Sequence, residues 1–177
     1  MELRKIVKED KNEILLIYEE YIESEPIDGI DTFEGIRNLE HLNKMRFEEW
    51  YQELIDNEDK EKIPAYYSTQ ITYAVIEDDK IIGFLNARWE NVPVLEKYGG
   101  LIGYSIRPKY RGFGYANEML SLGLEKYKEK NYSKINISCK DFNIPSKKVI
   151  EKNNGILERE YYNKEDGYNY LIYNINL

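Results

Sequence analysis

Apolar positions along this chain switch between two periods, and the order of the switches outlines the fold. Leu3 to Val7 alternates as a first strand; after it Asp10 or Asn12 caps a helix to about Glu25 that turns Ile14, Leu15, Tyr18, Tyr21 and Ile22 inward. Pro26 to Asp31 breaks that helix. A second helical region in two pieces follows from about Thr32 to Asn57, where Leu39, Leu42, Met45, Phe47, Trp50, Tyr51 and Leu54 form an irregular apolar face of the kind that both packs and lines a pocket. Thr69 to Glu77 alternates with Ile71, Tyr73 and Val75 on one face, Asp78-Asp79 turns the chain, and Lys80 to Glu90 returns. Asn91 to Gly100 reads as a loop with one helical turn, and Leu101 to Ile106 as a strand. A helix to about Lys130, a strand at Lys134 to Cys139, a helix from Pro145 to Asn153 stopped by Gly155, and strands near Ile156–Tyr162 and Tyr168–Ile175 complete the order.

An antiparallel hairpin feeding a strand–helix–strand–helix unit predicts an α/β (α+β) fold on a single sheet. A length of 177 residues predicts one domain. The 17 tyrosines lie at strand or helix spacing and read as half-buried packing rather than as a stacking platform for bases.

Composition narrows the class. No apolar run approaches the roughly 20 residues of a membrane span, so no membrane partner is expected. The first residues lack an apolar signal core, and the single Cys139 cannot form an internal disulfide, which together predict a cytoplasmic protein. Cys139 lies in an apolar strand pattern and reads as structural. The net charge of −8 is uneven: residues 1–60 hold 8 Lys+Arg against 18 Asp+Glu, a net of −10, while residues 61–177 hold 17 against 15, a net of +2. Nucleic acid is therefore not an expected partner. Basic residues gather instead at 107–111 and at Lys140, Lys147, Lys148 and Lys152, as a site for one multiply charged small ligand would need.

The stretch from Ser105 to Ala116 carries the clearest chemistry. A helix starting near Phe113 leaves its first N–H groups without intrahelical acceptors and turns its positive dipole end toward an anion. Gly112 and Gly114 permit positive φ and remove the Cβ atoms that would hold a phosphate away from the main chain, and Ala116 keeps the next turn low. Arg107, Lys109 and Arg111 add charge able to pair with phosphates. An ordinary strand-to-helix turn with solvated arginines is the bland alternative. A dinucleotide-binding oxidoreductase fits poorly, because the third glycine position is Asn117 and too little chain follows Asp141 for a doubly wound sheet.

Arg111 to Ala116 resembles the arginine/glutamine-x-x-glycine-x-glycine/alanine signature of the GNAT acetyltransferase superfamily. Gly103 to Ala116 is similar to a bacterial "predicted acetyltransferase" branch, with likeness from about Ile81 to Leu157 that includes Cys139 to Asn143 and Lys148 to Asn153. The resemblance implies one acetyltransferase domain over 1–177: a helical acceptor-side region at 1–60, a coenzyme-binding core at 69–157 and closing strands at 156–177. It implies a mixed, mostly antiparallel sheet flanked by helices, with splayed fourth and fifth strands. The implied cosubstrate is acetyl-CoA, with no metal. Arg111, Gly112, Phe113, Gly114, Tyr115 and Ala116 would hold its pyrophosphate, with Arg107 beside them. Tyr104, Ser105 and Ile106 would offer main-chain groups to the pantetheine arm, the Ile106 N–H facing the thioester carbonyl. Asn143 and Ser146 would touch the arm, although an Asn before Ile-Pro also caps a helix regardless of function.

The reaction so implied is direct attack of a primary amine, from a small molecule or a peptide, on acetyl-CoA. It needs a base for the ammonium and a donor for the developing oxyanion. Glu90, at a strand end, is a candidate base, although a solvated strand-end carboxylate is the simpler reading. Ser138 stands where many members place a catalytic Glu and could order a water; Ile150 stands where many place an acid Tyr, and Leu101 where the nearest branch has His. Positioning and solvent-relayed proton transfer would then carry turnover, with the thiol, of pKa near ~8.5, leaving unaided. An acyl-CoA-binding sensor or partner subunit without efficient turnover is the alternative. Glu19, Glu20, Glu23 and Glu25 suggest a cationic acceptor, although a solvated helix face is the simpler reading. A monomer or a homodimer is expected.

Overall fold

A computed structural model describes residues 1–24 and 35–177. Strands β1 (Glu2–Lys5), β2 (Gln70–Glu77), β3 (Lys80–Arg88) and β4 (Ile102–Ile106) form an antiparallel sheet in that order; β5 (Lys134–Lys140), β7 (Tyr168–Asn176) and β6 (Ile156–Asn163) form a second. Helices α1 (Lys11–Glu23), α2 (Phe47–Asp56), α3 (Tyr115–Glu129) and α4 (Ile144–Lys152) flank them. The β2–β3 hairpin turns on Asp78 and Asp79, both at positive φ (48° and 58°), the geometry that matches the twist of two strands joined by two residues.

Alternation along β2 sends the first sheet's faces to two cores. Ala74 and Ile76 meet Ile14, Ile17 and Tyr21 of α1 and Trp50 of α2, whereas Tyr73 and Val75 join the cluster built from α3, β5 and β7. The α1 face differs from the periodicity reading. Ile17 is fully buried and Ile22 is exposed, because Ile14, Ile17 and Tyr21 at i, i+3 and i+7 form the stripe that reaches the sheet. The second helical region is in two pieces, a 3₁₀ turn at Leu39–Asn43 and α2; its expected start at Thr32, like Pro26 to Asp31 and Glu25, lies outside the described residues.

The expected single sheet is divided at its fourth and fifth strands. Among the described residues one main-chain bond joins them, from the Leu101 N–H to the Asn136 carbonyl at 2.9 Å. Gly100 makes that approach possible: at φ 66°, a Cβ there would lie 3.0 Å from the Ser138 nitrogen. The buried Tyr127 hydroxyl braces the same end, donating to the Leu101 carbonyl at 2.7 Å and accepting from the Arg88 N–H at 3.0 Å. Beyond this closed end β4 and β5 part, and the gap between them positions the site.

Candidate active site

A cleft of about 820 Å³ follows the gap, within the size range of small-molecule sites. At one end lie Arg111, Gly112, Gly114 and the first turn of α3; at the other lie Ser68, Gln70 and Arg88, beside the closed end of the gap. The strand between is β4, five residues or roughly 17 Å of extended chain.

The ladder of β4 decides which of its groups face the gap. The Arg107 N–H donates to the Ile82 carbonyl and the Arg88 N–H to the Leu101 carbonyl, both at 2.9 Å, so residues 103, 105 and 107 use their main-chain groups on β3, and Leu101 its carbonyl alone. By antiparallel alternation the N–H groups of Tyr104 and Ile106 point to the β5 side. Of the three strand residues expected to meet the coenzyme arm, Ser105 is thus paired within the sheet, and its hydroxyl lies 3.2 Å from that of Tyr21. The Ile106 carbonyl, open on the gap side, accepts from Arg111 Nε at 2.9 Å, which fixes that guanidinium at the cleft.

At the phosphate end, Gly112 and Gly114 have φ of +84° and +89°, and a Cβ built on either meets no atom within 4 Å: the space outside the main chain is open. Gly114 is the N-cap of α3 and no side chain caps that end, so first-turn N–H groups, at Tyr115 and Ala116, are left for a ligand. Helix α3 begins at Tyr115, two residues later than the sequence pattern implies, and Phe113 is 75% exposed and absent from the cleft wall. Lys148 and Lys152 of α4 complete this end. These features fit the pyrophosphate and extended arm of acetyl-CoA.

Two expected phosphate contacts face elsewhere. Arg107 is 5% exposed and bound to Glu20 Oε2 at 2.6 Å, to Glu13 Oε1 at 3.3 Å and to the Ile81 carbonyl at 2.6 Å, because its strand position turns it toward α1. Lys109 reaches the same Glu20 oxygen at 3.2 Å. Burial raises the Glu20 carboxyl, but Arg107 and Lys109 outweigh it and hold the group below its ordinary value. Glu19, Glu20 and Glu23 line a shallow depression with Pro108 and Lys109, apart from the cleft, so they make no acceptor wall. Glu25 lies outside the described residues.

The candidate catalytic groups are also engaged. Glu90 is absent from the cleft wall: one oxygen accepts from the Thr69 N–H and from Ser68 Oγ at 3.0 Å, the other from Thr69 Oγ1 at 2.7 Å. Burial alone raises this carboxyl, yet those bonds hold it below the ordinary carboxylate value, which makes it a weaker base and a latch between β2 and β3. Ser138 lines the cleft but donates its proton to the Tyr98 carbonyl at 2.5 Å. Asn143 caps α4 through Ser146 N at 3.1 Å and also lines the cleft. Ser146 Oγ lies 2.8 Å from the Tyr104 hydroxyl, whose phenol burial pushes up and keeps protonated. Burial raises the Cys139 thiol to about 11, so it stays a neutral packing group. Ile150 is fully buried.

Sequence reasoning missed the far end of the cleft. Arg37, Tyr67, Gln70 and Arg88 line it, yet they come from a turn, a loop and two strand ends with no shared motif.

Known proteins give this geometry a context. A model of the Acetyltransferase (GNAT) family matches residues 35–156. Among curated proteins none matches the sequence. Solved structures with the same fold include an acetyltransferase from Salmonella typhimurium described as modifying the N-terminal serine of ribosomal protein L7/L12, with 16% identity, TM-score 0.67, and 99% of this chain and 94% of that one covered. A ribosomal L7/L12 alpha-N-protein acetyltransferase in complex with coenzyme A has 17% identity, TM-score 0.66, and coverage of 99% and 93%. A spermidine N-acetyltransferase chimera from Vibrio cholerae and hSSAT has 17% identity, TM-score 0.63, and coverage of 99% and 96%.

Proposed function

The chain belongs to the acetyltransferase (GNAT) family, and from that premise we propose that it moves acetyl from acetyl-CoA to a primary amine of a small molecule or peptide, with residues 1–177 acting as one unit. The observation that carries this reading is the continuity of the glycine cradle with the β4/β5 gap in one cleft. Bound acetyl-CoA supplies an activated thioester. The N–H groups at the start of α3 and Arg111 hold its phosphates, and Tyr104 and Ile106 offer N–H groups along the gap, Ile106 as donor to the carbonyl oxygen.

Among the described residues no carboxylate or imidazole lines the cleft, so the amine proton passes to solvent and the chain contributes position rather than a base. The printed activities of the spermidine and ribosomal-protein enzymes share an amine acceptor, which supports the class. Calorimetry with acetyl-CoA and thiol release with a panel of amines test the proposal together. Binding with thiol release on addition of an amine is the expected result. Binding without release across the panel would favour a coenzyme-binding sensor, and no binding would overturn both.

A further inference from the structure

The far end of the cleft holds a cation with no assigned work. The Arg37 main chain is fixed, its carbonyl accepting from Trp50 Nε1 at 3.0 Å, between the buried Ile36 and Leu39. Its guanidinium lies 5.5 Å from the Tyr67 ring centroid and makes no hydrogen bond or ion pair among the described residues, and its Nε is shut off from solvent without an acceptor. In a chain of 33 Asp and Glu against 25 Lys and Arg, such isolation is informative. With Nε closed off, a carboxylate entering the cleft would meet the guanidinium at its two terminal nitrogens, which have no partner among the described residues and match the two carboxylate oxygens. Arg88 donates to the Gly99 and Gly100 carbonyls at 3.1 and 3.0 Å and so shapes the wall of this end. Neutral groups supply the remainder: Tyr67, Ser68, Gln70 and Tyr98.

Resting on the acetyltransferase reading, we propose that Arg37 receives a carboxylate of the acceptor, so that the substrate is an amine that also carries a carboxylate. The Tyr67 ring, 5.5 Å from the guanidinium carbon, favours the cation at this position. A polyamine brought to this end would set its second ammonium against the Arg37 guanidinium. Glu19, Glu20 and Glu23, the described part of the cluster that by composition suggests a cationic acceptor, line a separate depression.

The test uses matched acceptors: an α- or ω-amino acid, its primary amide, a peptide with an acidic residue beside its N-terminus, and a diamine of the same length. Wild type should favour the amino acid over its amide by roughly ten- to a hundredfold in kcat/KM, the amount expected for a charge-assisted contact. Arg37→Gln should collapse that ratio toward one through KM, and Arg37→Lys should restore part of it. Preference for the peptide over the free amino acid would assign the carboxylate to a polypeptide. A best rate with the diamine, or a carboxylate preference that survives Arg37→Gln, would overturn the proposal. Calorimetry with the amino acid alone keeps the two readings separate: if no amine is turned over, tighter binding to wild type than to Arg37→Gln still supports the Arg37 site, and equal affinity refutes it.

Discussion

On the proposed reading, the two ends of the cleft recognise charge by different means. At the phosphate end the main chain does most of the work: two glycines at positive φ and an uncapped helix start, with Arg111 tied to the Ile106 carbonyl. At the far end side chains do it, Arg37 on Tyr67 and Arg88 on two carbonyls, set there by segments distant in sequence. A main-chain site needs a short contiguous motif, since helix dipole and N–H groups come with the turn itself. A side-chain site is only as defined as the packing that brings its members together.

Arg107 lies beside the glycine motif yet is bound to α1, so its removal should act on the fold and not on the coenzyme. Arg107→Met should lower stability by about 3–5 kcal/mol, since it leaves Glu13 and Glu20 facing an apolar group, while the affinity of the folded protein for acetyl-CoA stays within about twofold. Denaturant unfolding and calorimetry on one preparation check this, and lost affinity with intact stability would return Arg107 to the phosphates.

Gly114→Val should weaken acetyl-CoA by about a hundredfold, because its Cβ enters the open space of the cradle and a β-branched residue resists φ of +89°. Equal affinity would refute the close approach. Arg111→Ala should cost about tenfold in the same titration by freeing the Ile106 carbonyl and removing one charge.

The smallest effect belongs to Glu90. Glu90→Gln should lower stability by about 1–2 kcal/mol near neutral pH and leave kcat within about twofold, whereas loss of a general base would cost a factor of about 10² to 10⁴. Its carboxyl is depressed in the folded state, so the stabilisation is present above the unfolded value near 4.5 and disappears as pH falls through the lower folded value. Acid unfolding of the variant should lack that component.

Much of the fold was legible because it is local. Period-two runs placed β2, β3 and β5 within a residue or two, and the Asp78-Asp79 turn and the two-piece second helical region follow from turn chemistry and irregular spacing. The inward face of α1 was less legible. Ile17 and Ile22 both suit an apolar stripe, and only the angle at which the helix meets the sheet separates them.

The chain by itself determined the cradle from Arg111 to Ala116, because glycine φ, a helix start and a basic flank are properties of consecutive residues. Tertiary structure decided which charges reach the cleft. Arg107 meets carboxylates 87 and 94 positions away and is used up in the core, and Glu90 is bound by Thr69, 21 residues earlier and just ahead of β2. Arg37, in an unremarkable turn, is left on the cleft wall without a carboxylate partner among the described residues. Opposite charges pair by distance in space, and no local pattern encodes that distance.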